Sequence, residues 1–329
     1  MFIANFPRTP PLPQSIFPSL FKALLFSELC SDMKFLVTGG SGFIGSHLVH
    51  RLQSHGPVTV LDNLSSGQKS NLQGLSCRFL HGSILDPASL EDALTGVTHV
   101  FHLAAMVSVP ESVAHPDRCH EINVEGTRLV LAAANRAGAQ RFVLASSCAI
   151  YGNDPIMPKT ETLPPAPASP YAQSKLAGEA LCLSSPLPAV PLRFFNVYGP
   201  RQDPQGPYAA AVPKLLQAAL AGSPLPIHGD GLQTRDFVFV EDVTSAFLHA
   251  ALHPEMVGPY NVASGQSISI LQLAETIRTA TLSTSSISHF PARTADVRFS
   301  SASIARLLAT GWQPTHNLLS GLRHMLGQS

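Results

Sequence analysis

The chain has 329 residues, of which 45% are hydrophobic and only 13% charged, against about 25% charged in an average soluble protein. That length supports one large α/β unit or two joined domains. Lys+Arg and Asp+Glu balance at 21 each, which argues against nucleic acid or an acidic membrane as a partner, so any anionic ligand must be held by a few placed cations. Five scattered cysteines (Cys30, Cys77, Cys119, Cys148, Cys182) lack CxxC spacing and read as the reduced thiols of a cytoplasmic protein. Among 14 histidines, the pairs His47/His50 and His249/His253 have helix-like spacing. Neither pair comes with HExxH or a third ligand, so no metal is expected. No apolar run reaches the ~18 residues that span a membrane.

Residues 1–32 hold Pro7, Pro10, Pro11, Pro13 and Pro18 and an apolar patch at Leu20–Phe26. They lack the basic start and cleavage site of a secretory signal and are expected to form a disordered extension ahead of Met33. From Lys34 onward strands alternate with helices. Strands are expected at Lys34–Thr38, Val58–Leu61, Arg78–Leu80, Val100–Leu103, Phe142–Ala145 and Leu192–Phe195. Helices are expected at Gly42–Ser54, Pro87–Leu94 and Val124–Ala137. This alternation implies an α/β fold: a Rossmann-type, doubly wound parallel sheet covered on both faces. Beyond Gly199 the rhythm breaks into Pro- and Gly-rich loops and isolated helices, as a smaller α+β substrate-binding part would do. Residues 33–198, with 236–262 returning to them, are read as the dinucleotide-binding domain. Residues 199–235 and 263–329 are read as the second part.

The first strand runs into Thr38-Gly39-Gly40-Ser41-Gly42-Phe43-Ile44-Gly45. Glycines at 39, 42 and 45 allow a tight turn, close approach of backbone to a pyrophosphate, and close helix–strand packing. The helix that follows offers free N–H groups and a partial positive charge to phosphates. Asp62 ends the second strand, where a carboxylate accepts hydrogen bonds from a ribose diol and repels a 2′-phosphate. The cofactor is therefore expected to be NAD rather than NADP. Further on, Tyr171 and Lys175 are spaced to share one helix face. An unperturbed phenol titrates near ~10; a lysine cation and a positive nicotinamide ring beside it would lower that value. Ser147 stands just past the strand ending at Ala145, where open α/β sheets bind ligands.

Residues 34–328 resemble an extended short-chain dehydrogenase/reductase of the NAD-dependent epimerase/dehydratase family. The resemblance rests on TGGSGFIG (38–45), DNLSSG (62–67), HLAA (102–105), NVEGT (123–127), SSCAIYG (146–152), YAQSK (171–175), RFFNVYGPRQDP (193–204) and TRDFVFVEDV (234–243), all in the family's order. It implies that Ser147, Tyr171 and Lys175 are catalytic. It also implies that Phe43, Ile44, Asn63, Ser66, Gly67, Ser83, Ile84, Leu103, Ala104, Ala105 and Phe194, with Tyr171 and Lys175, join Gly39, Gly42, Gly45 and Asp62 around NAD. In the implied mechanism Tyr171 takes a proton from a sugar C4 hydroxyl while the C4 hydride passes to nicotinamide. The 4-keto sugar then turns over, and the hydride returns to its other face. The family's dehydratases carry Thr-Asp-Glu where this chain has Ser147-Cys148-Ala149, which argues against dehydration. Decarboxylases and 4-keto-sugar reductases share the triad and stay open as alternatives. A non-catalytic NAD-sensing regulator is a rival of another class, but such proteins typically lose the Tyr or Lys that is present here.

By the same resemblance Asn196, Arg235 and Arg293 grip a nucleotide diphosphate, and Asp296 binds the nucleotide ribose. The segment Tyr208–Pro213, with Ala210 in it, holds uracil, and Ser108 and Ser300 border the sugar. Arginine's fork of donors suits phosphate. Hexose-only members tend to have a bulky Tyr at the position of Ser300, so serine leaves room for an N-acetyl group. MPKTE (157–161) and RQDPQGPYAAAVPK (201–214) look closest to UDP-N-acetylglucosamine 4-epimerases. The resemblance thus implies an isomerase acting on UDP-GlcNAc/UDP-GalNAc, with UDP-Glc/UDP-Gal as a further pair, in polysaccharide biosynthesis. It also implies a homodimer. Two departures stand out. Ser83-Ile84 replaces the Asp-Ile that relatives often place near adenine. The span from Tyr171 to Arg193 is also about one helical turn short, in a helix that pairs subunits in the family.

Overall fold

The computed structural model describes residues 33–204, 210–292 and 298–328. Seven parallel strands form the central sheet: β1 (Phe35–Thr38), β2 (Val58–Asp62), β3 (Arg78–His81), β4 (His99–His102), β5 (Arg141–Ser147), β6 (Ala189–Phe194) and β10 (Tyr260–Val262). Their order is β10-β6-β5-β4-β1-β2-β3. The chain therefore leaves β1 in one direction for β2 and β3, then crosses back to β4 on the other side. Ligands of open α/β sheets bind in the crevice that such a reversal opens at the strands' C-terminal ends. Every residue of β1 and β4 is buried, as expected of strands covered on both faces.

Two apolar layers do the covering. On one face, α1 (Phe43–Leu52) and α8 (Val240–Leu252) press Leu48, Val49, Val243 and Phe247 onto Phe35, Val37 and Phe101. On the other, α2 (Pro87–Ala93), α5 (Gly126–Arg136) and α6 (Pro170–Leu183) contribute Leu90, Val130, Leu131 and Cys182 against Leu36, Val100 and Phe142. Each such side chain taken fully out of water contributes about 1.5–3 kcal/mol. Two short helices, α3 (Val109–Ala114) and α4 (Pro116–His120), precede a π-type turn at Glu121–Glu125.

The second part has its own core. β7 (Asn196–Tyr198), β9 (Thr234–Phe239) and β11 (Ser267–Ser269) make a three-stranded sheet, and β8 (Leu225–His228) pairs with β12 (Ile287–Phe290). α7 (Ala211–Leu220), α9 (Ile270–Thr281) and α11 (Leu318–Met325) bury Leu215, Leu273, Ile277 and Leu322 against Phe237 and Phe239. The short α10 (Ala305–Leu308) returns to the first core through Leu307.

Several boundaries differ from the sequence reading. β6 starts at Ala189, three residues before the expected start, and runs through Pro191. Proline is tolerated there because β10 covers only Leu192–Phe194, leaving β6 with one neighbour at Pro191. The helix expected over Val124–Ala137 begins as the π-type turn and becomes α-helical only at Gly126. Among the described residues no helix is long and apolar enough to cross a membrane.

Candidate active site

The turn from β1 into α1 is shaped by its glycines. Gly39 has φ +70, and a Cβ there would lie 2.7 Å from the backbone nitrogen of Ala104; any other residue would meet both strain and a clash. A Cβ on Gly45 would lie 2.2 Å from the Gly39 carbonyl oxygen, so α1 can sit this close to the turn only with glycine. Gly42 is the N-cap of α1 and provides no side-chain cap, which leaves the helix's first N–H groups for an outside acceptor. Asp62 is buried, and its two carboxylate oxygens each accept one backbone bond, from Ser41 and Leu64, both at 2.8 Å. A carboxylate oxygen so used keeps a further lone pair for a hydroxyl. The loop after β2 passes Asn63 and Ser66, both exposed, to Gly67, which touches the Ser41 backbone. These features fit a dinucleotide: a bare helix N-terminus for its pyrophosphate and an oriented carboxylate for its ribose.

Around this turn, Leu103, Ala104 and Ala105 follow β4. Thr38 Oγ1 accepts from the backbone N–H groups of Leu103 and Ala104. Ala104 and Ala105 share a small cavity with His102, Asn123, Ser174 and Lys175. Ser83 caps its own loop, its hydroxyl accepting from Leu85 N, while Ile84 is buried against Gly126. Phe194 is also buried, its ring 5.2 Å from that of Phe247. Phe43 packs edge-on against His47, and Ile44 lies against the core.

β5 ends at Ser147, whose hydroxyl accepts from Ala149 N at 3.1 Å and stands close enough to the Tyr171 phenol to favour its ionised form. Tyr171 is in the first turn of α6, opened by Ser169 as N-cap and Pro170 at the first position. Lys175, one turn later, is buried; its Nζ donates to the Ala145 carbonyl at 2.8 Å and lies 5.8 Å from the centre of the Tyr171 ring. The three side chains thus converge at the C-terminal end of β5. The expected lowering of the phenol is not what the pocket does by itself. Desolvation pushes Tyr171 up to about 12, and the Ser147 hydroxyl opposes it. Burial also brings Lys175 down to about 8. The lysine is turned toward Ala145 rather than the phenolic oxygen, so desolvation of the phenol outweighs it. Burial raises the Cys148 thiol to about 12, leaving it neither acid nor base at neutral pH.

Sequence reasoning missed the supports behind these groups. The Asn123 side chain donates to Met106 O and Ser174 Oγ and accepts from Met106 N, tying the loop after β4 to α6. Arg193 donates to Glu179 at 2.9 and 2.7 Å within the core, and Glu179 also accepts from Ser146 Oγ. NVEGT carried the first as a family string without a role. The second had no local signal, because its partners stand 14 and 33 positions apart.

On the far wall, Asn196 Nδ2 donates to the Asp236 carbonyl at 3.1 Å. Arg235 Nη1 donates to Thr234 O, and its charge reaches the Cys148 thiol beside Ser147. Ser300 is joined to β9 by its N–H to Thr234 O, which puts it beside Arg235. Ser108 caps α3, while Ala210 is the exposed N-cap of α7. Arg293, Asp296 and Tyr208 lie outside the described residues.

The fold and the turn define an NAD-type dinucleotide-binding α/β protein with a Ser–Tyr–Lys cluster beside its binding edge. The model of the NAD dependent epimerase/dehydratase family matches residues 35–263. The chain belongs to that family and is an enzyme whose cofactor is NAD. It is 39% identical over 309 residues to the UDP-glucose 4-epimerase of Mycolicibacterium smegmatis, covering 88% of this chain and 96% of the relative. It is 37% identical over 268 residues to a UDP-N-acetyl-alpha-D-glucosaminuronate decarboxylase of Bacillus cytotoxicus, covering 78% and 83%. A structure of UDP-N-acetylglucosamine 4-epimerase from Methanobrevibacter ruminantium, in complex with UDP-N-acetylmuramic acid, superposes with a TM-score of 0.86 at 37% identity, over 90% of this chain and 98% of that one.

Proposed function

We propose that this chain catalyses the 4-epimerisation of a UDP-hexose, UDP-GlcNAc/UDP-GalNAc first and UDP-Glc/UDP-Gal second. The observation that carries this is the convergence of Ser147, Tyr171 and Lys175 beside the glycine turn. Residues 33–198 with 236–262 would hold NAD, and 199–235 with 263–329 the nucleotide sugar. When bound, NAD supplies a hydride acceptor at the sugar's C4 and a positive ring that favours the phenolate. Tyr171 takes the C4 hydroxyl proton on its phenolic oxygen and returns it at the end of the cycle. Ser147 donates to the same sugar oxygen, holding it against the phenol. Lys175 keeps a positive charge on the shared helix face. Proton transfer of this kind contributes about 10²–10⁴-fold. A neutral Cys148 and an Ala149 supply neither the acid nor the base that dehydration needs.

Asn196 and Arg235, with Arg293 and Asp296, would grip the diphosphate and ribose, with Ala210 beside the base. Ser108 and Ser300 would border the sugar, and the small Ser300 side chain favours an N-acetyl group at C2. The similarity to the decarboxylase favours a second reading, oxidation at C4 followed by loss of CO₂ from a UDP-uronate. The homodimer implied by the resemblance belongs to the same proposal, and sedimentation of the full chain tests it.

The deciding measurement follows UDP-GlcNAc, UDP-Glc and UDP-GlcNAcA by NMR with NAD and no added reductant. C4 inversion of UDP-GlcNAc is expected, with a loss of about 10²-fold or more in Tyr171→Phe. Ser300→Tyr is expected to lose N-acetylated turnover and keep UDP-Glc. Unchanged N-acetylated turnover in Ser300→Tyr would discard the C2 argument. CO₂ release from the uronate alone would replace epimerisation with the second reading.

A further inference from the structure

Among residues not assigned to this site, three metal-ligating side chains from distant parts of the sequence meet. Glu241 lies in the first turn of α8, His316 just before α11, and His324 in the last turn of α11. His316 Nε2 is 3.6 Å from Glu241 Oε2, and His324 Nε2 is 3.3 Å from Glu241 Oε1. One ligand atom from each residue lies within 4.8 Å of the other two. Tetrahedral zinc bonds of about 2.0–2.2 Å put neighbouring ligand atoms about 3.4 Å apart. The two imidazoles reach different oxygens of the Glu241 carboxylate, and a small turn of Glu241 and of His324, whose side chain is 50% exposed, brings one atom from each residue to that spacing.

The second layer is built as well. His316 Nδ1 lies 3.1 Å from Asp242 Oδ1. A carboxylate accepts, so Nδ1 donates to Asp242 and Nε2 is the ring atom left facing Glu241. Asp242 is itself buried and fixed by the backbone N–H groups of Thr315 and His316. The Phe239 ring packs against both imidazoles, with centroids at 4.7 and 5.4 Å. Glu241 and Asp242 together offset the charge of a divalent ion. Arg51 is turned to the Glu241 backbone carbonyl and to Thr244.

We propose that Glu241, His316 and His324 bind a zinc-class divalent cation, with Asp242 orienting His316. The ion fastens the C-terminal helix α11 to the start of α8. Three protein ligands leave a fourth position for water. The site is independent of the epimerase reading.

The test uses the untagged full chain, stripped with chelator and titrated with Co²⁺, then Zn²⁺. One equivalent of Co²⁺ is expected to give the visible absorption of a tetrahedral ion, which Zn²⁺ displaces. Zn²⁺ is also expected to raise Tm with concentration, as any ligand of the folded state does. His324→Ala, at an exposed position, should bind more than about tenfold more weakly, since even outer-shell changes cost that much. His316→Ala should behave likewise, while His253→Ala should titrate as wild type. Absence of the tetrahedral spectrum, or identical titrations for wild type and His324→Ala, overturns the site.

Discussion

His102 shows how a single ring is set by its neighbours. Its Nδ1 is 2.7 Å from Thr38 Oγ1, and its Nε2 is 3.0 Å from Thr127 Oγ1. Thr127 already donates to the Asn123 carbonyl, so it accepts from Nε2–H and leaves Nδ1 to accept from Thr38. This arrangement requires a neutral ring. Burial, helped by the Lys175 charge, holds His102 down at about 3, against the usual 6.5. Below pH 6.5 the unfolded chain therefore binds a proton that the folded chain refuses. The stability from this group is complete above 6.5 and is lost as pH falls toward about 3. Melting curves at pH 7 and 4.5 should show a smaller Tm loss for His102→Gln than for wild type. Parallel losses would mean that His102 is not held neutral.

α6 carries both Tyr171 and Lys175, so its seating sets the geometry of the pocket. Its N-terminus is fixed by the Ser169 cap and by the Tyr171 N–H donating to Ser112 Oγ at 3.1 Å. Its body is fixed by Glu179 against Arg193 of β6, with side chains 2% and 5% exposed. Removing one member of a buried pair strands the other charge, at a cost of about 3–5 kcal/mol. Glu179→Ala should therefore lower the urea midpoint sharply, and Glu179→Ala combined with Arg193→Met should recover much of the loss. A double variant as unstable as the two single losses added together would show that the pair is not coupled.

At the scale of the molecule, the C-terminal end of α8 is tied to the sheet by a cation in addition to the helix's apolar face. Arg141 opens β5, and its guanidinium donates to the carbonyls of Ala250, His253 and Met256 at 2.9, 2.8 and 2.9 Å. These carbonyls lie at and beyond the C-terminus of α8, where unpaired acceptors and the helix dipole favour positive charge. Hydrogen bonds to charged groups contribute about 1.5–3 kcal/mol. Arg141→Leu should cost at least that much, seen as a lower urea midpoint with an unchanged slope. A changed slope would point instead to loss of two-state unfolding.

The parts of the protein that the sequence by itself determined are those written in short-range order. The glycine turn, the carboxylate of Asp62 and the shared helix face of Tyr171 and Lys175 follow from spacings of two to four residues and from buried strands that read as continuous apolar runs. Three-residue strands such as Tyr260–Val262 and Asn196–Tyr198 are too short to carry a period, and Pro191 concealed the start of β6 until its one-sided neighbour was known. Tertiary structure alone decided the direction in which Tyr171 titrates, because desolvation depends on what the rest of the chain packs around the phenol. It also decided which histidines meet. His249 and His253 have helical spacing, and their rings stack at 3.7 Å, while His316 and His324 of the second part converge on Glu241 of the first. Local chemistry repeats along the chain and can be read there; burial and long-range convergence exist only once the chain has closed on itself.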